Sequence, residues 1–128
     1  MKKTADLRKM KEEYPFTPHY MYAGKYRMHY VDEGTGPVII MLHACPMWSF
    51  FFRNLIKEFS QKFRVIAPDA IGYGLSDKPD GYDYRLETQI DNLERLVEHL
   101  NLEKFSLVMH GWGATIGTGF TVRHSERV

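Results

Sequence analysis

The sequence predicts an α/β fold, a mostly parallel sheet with crossover helices, and three observations carry that expectation. Val38-Ile39-Ile40-Met41-Leu42 and Phe63-Arg64-Val65-Ile66-Ala67 are apolar at nearly every position, as strands are when both of their faces are covered. Between and beyond these runs lie stretches whose apolar residues recur at helical spacing. The elements come in the order strands first, then β-α-β-α-β-α, which is the order of a sheet whose parallel strands are joined by helices.

Each element follows from its residues. Residues 1–18 form a charged N-terminal arm: Met1 to Glu13 is rich in Lys and Glu and reads as a solvated arm or short surface helix, closed by the turn-prone Tyr14-Pro15-Phe16-Thr17-Pro18. Residues 19–128 form one core without internal repeat or linker. Tyr26, Met28 and Tyr30 alternate with Arg27 and His29, the period of a half-buried strand, and the short His19 to Tyr22 segment is its hairpin partner across Ala23-Gly24. Asp32-Glu33-Gly34-Thr35-Gly36-Pro37 then turns the chain into the first apolar run. From Ser49 to Phe59 a helix places Phe52, Leu55, Ile56 and Phe59 on one face. The clearest helix carries Leu86, Ile90, Leu93, Val97 and Leu100 on one side and Glu87, Asp91, Glu94, Arg95 and Glu98 on the other. Burial of five such side chains contributes on the order of 10 kcal/mol before entropy, so this helix packs on a sheet. Asn101-Leu102-Glu103 ends it, Lys104 to Met109 is a further buried strand, and Gly111-Trp112-Gly113-Ala114 turns into a last helix ending at Arg123.

Composition narrows the function classes. With 17 Lys and Arg against 16 Asp and Glu, the net charge of +1 gives no field to gather nucleic acid or an anionic membrane. Neither is expected as a partner. Cys45 is the single cysteine, so an internal disulfide and a cysteine-based zinc cluster are excluded, and no metal or cofactor is expected. Met1-Lys2-Lys3 is followed by charged residues instead of an apolar stretch, and no apolar run reaches membrane-spanning length. The expected location is the cytoplasm.

The chemistry is expected in the loops that leave the carboxyl ends of the buried strands, the edge where ligands bind in open α/β sheets. These are His43-Ala44-Cys45-Pro46-Met47-Trp48-Ser49-Phe50, Pro68-Asp69-Ala70-Ile71-Gly72-Tyr73-Gly74-Leu75-Ser76-Asp77-Lys78-Pro79, and His110-Gly111-Trp112-Gly113. The second loop, with Tyr82-Asp83-Tyr84-Arg85-Leu86-Glu87 and Leu107-Val108-Met109-His110-Gly111-Trp112-Gly113, closely resembles the haloalkane dehalogenases of the α/β-hydrolase superfamily and their relatives, the β-lactone decarboxylases of bacterial olefin synthesis. The resemblance runs from about Tyr26 to Val128. It implies the N-terminal part of an α/β-hydrolase fold, with the cap and the C-terminal strands absent from this sequence.

The resemblance also implies a specific chemistry, and this chain departs from it at three places. A sharp turn from strand to helix presents an Asp nucleophile, and the ester it forms is hydrolysed by a His-activated water. That Asp belongs between His110 and Trp112, where this chain has Gly111. Losing the central nucleophile of a catalytic unit typically costs roughly 10⁴ to 10⁶ in rate, and a Ser-based esterase elbow fails at the same position. The family pattern His-Gly-Asn-Pro reads His43-Ala44-Cys45-Pro46 here, so Cys45 keeps the backbone donor of the oxyanion and halide site but offers a weak thiol in place of an amide. Trp112 matches the second halide-binding residue. The acid and the base His of the family have no counterpart in this sequence.

The remaining candidates have plain readings. His43 and His110 lie at strand ends where the family uses a histidine structurally, and they are accessory candidates only. Cys45 is read as a small buried hydrophobe before a substitute nucleophile, and Asp69 as a residue that ties loops together. Gly111-Trp112-Gly113-Ala114-Thr115-Ile116-Gly117 imitates a dinucleotide-binding turn, but it is not on the first strand, carries a bulky Trp and lacks an acidic ribose partner downstream. Gly117 and Gly119 are read as allowing close approach of the last helix to the sheet. Three functional expectations stand: a catalytically inactive dehalogenase-like chain; a hydrolase acting on a small molecule when another chain completes it; and a binding module that self-associates or takes a partner through the edge of the Lys104–Met109 strand.

Overall fold

The computed structural model describes residues 10–128; the expectations for residues 1–9 lie outside it. Five strands form one sheet in the order β1-β2-β4-β3-β5. β1 (His19–Ala23) and β2 (Tyr26–Glu33) form the expected hairpin, and β2 also pairs antiparallel with β4 (Arg64–Pro68). β3 (Val38–Leu42) lies parallel to both β4 and β5 (Ser106–Met109). The helices are α1 (Arg53–Phe59), preceded by a 3₁₀ turn at Ser49–Phe52, α2 (Leu86–His99) and α3 (Trp112–Arg123).

Strand order dictates how the helices are divided. The chain steps from β3 to β4 in one direction and from β4 back across β3 to β5 in the other. Right-handed crossovers in opposite directions place their helices on opposite faces. The core divides accordingly. On one face Ile40, Leu42 and Ile66 pack with Ile90, Leu93, Leu96 and Val97 of α2 and Ile116 and Phe120 of α3. On the other, Met41, Val65 and Ala67 pack with Phe52 and Ile56. Neighbouring residues of one strand serve different clusters, which is the period of two at work and the reason these strands are apolar at nearly every position. Arg64, the exception in its run, leaves its guanidinium at the sheet margin in a two-pronged bond to Asp32, at 2.9 and 2.7 Å.

Several details differ from the sequence expectations. The apolar stripe of α2 is wider than the five residues that suggested it: Leu96 is fully buried, as are the polar Gln89 and Asn92, whereas Leu86 and Leu100 sit at the margin. Tyr14, in the turn expected to close the charged arm, is 3% exposed and shares a 2.6 Å hydrogen bond with Ser49. The last strand begins at Ser106, because the Phe105 N–H turns away from β3 and donates to the Arg127 carbonyl at 2.9 Å. Gly117 lies against Leu42 and Met109 of the sheet, as expected, whereas Gly119 lies against Ile90 of α2.

Two polar residues fasten the loops at the carboxyl ends of the strands. Asp69, fully buried at the end of β4, accepts hydrogen bonds from the Ser49 N–H at 2.7 Å, the Leu75 N–H at 3.0 Å and Nδ1 of the equally buried His29 at 2.9 Å. His43, at the end of β3, accepts the Ala70 N–H on Nε2 at 3.0 Å, so its proton sits on Nδ1 and is donated to the Ala44 carbonyl at 2.9 Å. Among the described residues no buried side-chain nitrogen or oxygen lacks a partner.

Two outcomes follow. Asp69→Ala strands buried donors in three segments and removes the partner of a buried imidazole, so it is expected to lower stability by about 3–5 kcal/mol in urea unfolding. Burial, opposed by the Ala44 carbonyl and by Asp69, holds the His43 imidazole below its ordinary value of 6.5. Below that pH the unfolded chain takes up a proton that the folded chain refuses. Stability from His43 is thus present above 6.5 and lost as the pH falls through the lower folded value. Melting temperatures recorded between pH 7.5 and about pH 5 should fall less steeply for His43→Asn than for the unsubstituted chain.

Candidate active site

The reversal in strand order creates the site. Loops that leave neighbouring strands toward opposite faces open a crevice at the carboxyl edge of the sheet, and here the crevice lies between the ends of β3 and β5. Residues 43–48 follow β3 and residues 110 and 111 follow β5 into α3. The sequence placed its candidates in these loops, and the structure brings Ala44 and Gly111 into direct apposition.

Gly111 is the turn itself. It has φ 56° and ψ −123° and stands at the N-terminus of α3, a conformation that costs an L side chain about 1–3 kcal/mol and is left to glycine unless function demands otherwise. The turn is anchored on both sides: the His110 N–H donates to the Leu42 carbonyl at 3.1 Å, the Gly113 N–H to His110 at 3.0 Å and the Ala114 N–H to Gly111 at 2.9 Å. A sharp strand-to-helix elbow is therefore present in full backbone form, and at its apex there is no side chain.

The other candidates surround this apex. Cys45 is exposed instead of buried as the sequence suggested, because it sits in the loop beyond β3, and its Sγ lies 3.0 Å from the Tyr73 hydroxyl. That contact, together with partial burial, pushes the Tyr73 phenol up to about 12. The Tyr73 ring also meets the His43 ring edge to face at 5.4 Å. His110 is exposed and stacks on Phe51, with centroids 4.8 Å apart and planes within 9° of parallel. Trp112 is half-buried and packs against the core cluster under α2 and α3. His43 has both ring nitrogens engaged in the loop clamp and leaves none for an incoming molecule.

Tyr73, Phe51 and Ala44 escaped the sequence reading. Tyr73 stands between Gly72 and Gly74, both with positive φ, and a bulky residue held between two such glycines is the signal that could have marked it. Phe51 is 42% exposed and covers His110. Among the described residues no group of three or more His, Cys, Asp or Glu is arranged to hold a metal ion. No helix among them is long and apolar enough to cross a membrane.

Comparison with known proteins places this geometry. Residues 37–128 match the α/β hydrolase fold family. Over 117 residues the chain is 45% identical to a cis-3-alkyl-4-alkyloxetan-2-one decarboxylase of Shewanella oneidensis, a match that covers 89% of this chain and 37% of that protein. Over 115 residues it is 37% identical to haloalkane dehalogenase 2 of Mycobacterium tuberculosis, covering 90% of this chain and 40% of the relative. Among solved structures, a haloalkane dehalogenase loop variant from Bradyrhizobium elkanii superposes with a TM-score of 0.83 at 31% identity, over 88% of this chain and 38% of that one. An epoxide hydrolase from Bacillus megaterium does so with a TM-score of 0.80 at 35% identity, over 86% and 39%. The chain spans about two fifths of the length of these proteins. With the strand order, the elbow and the sequence match in agreement, the chain belongs to the α/β hydrolase fold family.

Proposed function

We propose that this chain is a dehalogenase-like member of the family whose own catalytic centre is silent. One observation carries the reading: the elbow keeps its strained backbone, anchored by hydrogen bonds on either side, yet presents glycine at its apex. A carbon electrophile brought to the crevice meets no carboxylate, hydroxyl or thiol at that point. Cys45 lies across the crevice loop with its sulfur turned to Tyr73, and His43 is committed to the loop clamp. Cys45 and Trp112 retain the positions of the oxyanion and halide site, so binding of a small haloalkane or lactone is retained better than its conversion. Cytoplasmic residence fits an exposed, unpaired thiol.

A second reading is favoured by the sheet margin: β5 takes up a strand from another polypeptide, either a second copy or a chain that supplies the rest of a hydrolase. β5 is an edge strand. The Phe105 N–H points away from β3 toward Arg127, and the His110 N–H points toward β3. By alternation, the backbone groups of Leu107 and Met109 face outward with Phe105. Met109 is also 39% exposed. An apolar margin with outward donors and acceptors recruits a further strand.

The two readings are tested separately. Purified chain incubated with a terminal chloroalkane or a β-lactone is expected to release neither halide nor carbon dioxide above buffer, and Gly111→Asp alone is expected to restore neither; turnover by either protein would sink the silent-centre reading. For the margin, sedimentation velocity should show concentration-dependent association that Met109→Lys reduces. A monomer at all concentrations, without a captured partner that confers activity, would count against it.

A further inference from the structure

We infer that Ala44 is the residue that holds the elbow free of a side chain, so that positions 44 and 111 form one steric unit in which a β-carbon at 111 is excluded by a methyl at 44. A β-carbon built on Gly111 would lie 2.7 Å from the Ala44 β-carbon and 3.5 Å from its α-carbon. Two saturated carbons do not share that space, and an alanine methyl has no rotamer by which to withdraw.

Neither backbone is placed to yield. The Ala44 carbonyl is held twice, by the Met47 N–H at 2.8 Å and by the His43 Nδ1–H at 2.9 Å, and the His43 ring is itself fixed by the Ala70 N–H at 3.0 Å. On the other side, the His110 and Ala114 N–H bonds flank the apex within a residue or three of it. Ala44 is 7% exposed and packed in place. Gly111, by contrast, is exposed, and beyond its chain neighbours only Ala44, among the described residues, lies within 4 Å of that β-carbon.

Two separable penalties therefore guard position 111. One is the left-handed backbone, which opposes any L side chain wherever Ala44 stands. The other is the contact with Ala44, which disappears when that methyl does. The second makes Ala44 a positioning residue for the apex: it decides that glycine is the residue the elbow accepts. Restoring a side chain at the nucleophile position would then need two coordinated changes, Ala44→Gly with the substitution at 111. This inference concerns the shape of the elbow and stands whether or not the chain turns over any substrate.

The experiment is a thermal melt of the full chain as four proteins: unsubstituted, Ala44→Gly, Gly111→Ala and the double variant. Gly111→Ala is expected to lower the melting temperature by about 5–10 °C in the presence of Ala44. In the Ala44→Gly background the same substitution should cost less than half of that decrement, the remainder being the backbone penalty. Folding of the double variant where Gly111→Ala alone fails to fold would support the inference equally. Equal decrements in both backgrounds, no decrement at all, or failure of both proteins carrying the Gly111→Ala substitution to fold would overturn it, because each outcome removes Ala44 from control of the apex.

Discussion

The buried carboxylate of Asp69 is the constraint on which the upper edge of the sheet depends. A charge at zero exposure is tolerated only when its lone pairs are filled, and here the segments after β3 and β4 and the middle of β2 converge on it through Ser49, Leu75 and His29. The Ser76 hydroxyl closes the same knot by donating to the Asp69 carbonyl at 2.5 Å while accepting the His29 N–H at 2.8 Å. His43 then couples the β3 loop to the residue that follows Asp69. The loop that carries Ala44 and Cys45 is thus fixed from beneath, and the crevice inherits its shape from groups that never face it.

That arrangement explains how the elbow keeps its form without a side chain at its apex. The elbow is imposed by β3, β5 and α3 through backbone bonds, and none of these bonds uses the side chain at the apex. Glycine at the apex holds this backbone without strain, since it tolerates the conformation that other residues resist.

Much of the architecture was legible in the sequence because it rests on periodicity. The uninterrupted apolar runs became β3 and β4, and the amphipathic pattern became α2. What was missed has no period. Leu96 joined the core because a helix lying flat on a sheet buries a wider face than a narrow stripe suggests. Tyr14 is a lone aromatic between charged residues and prolines, and only its distant partner Ser49 explains its burial. Lys104 and Phe105 fall outside the strand expected from Lys104 to Met109 because the Phe105 N–H follows Arg127. At the site, Gly111 could be recognised as a departure from a motif, whereas its apposition to Ala44 depends on two loops meeting in space.

The bond between Phe105 and Arg127 has a practical consequence for handling the protein. It pins Arg127 beside the start of β5, at the outer margin of the sheet. An affinity tag or fluorescent reporter joined after Val128 would leave the domain at that margin, so the first residues of its linker act as competitors for the margin and not as neutral tether. A linker rich in β-branched residues would lengthen the sheet along β5, whereas one opening with proline and glycine would leave the outward groups of β5 unpaired.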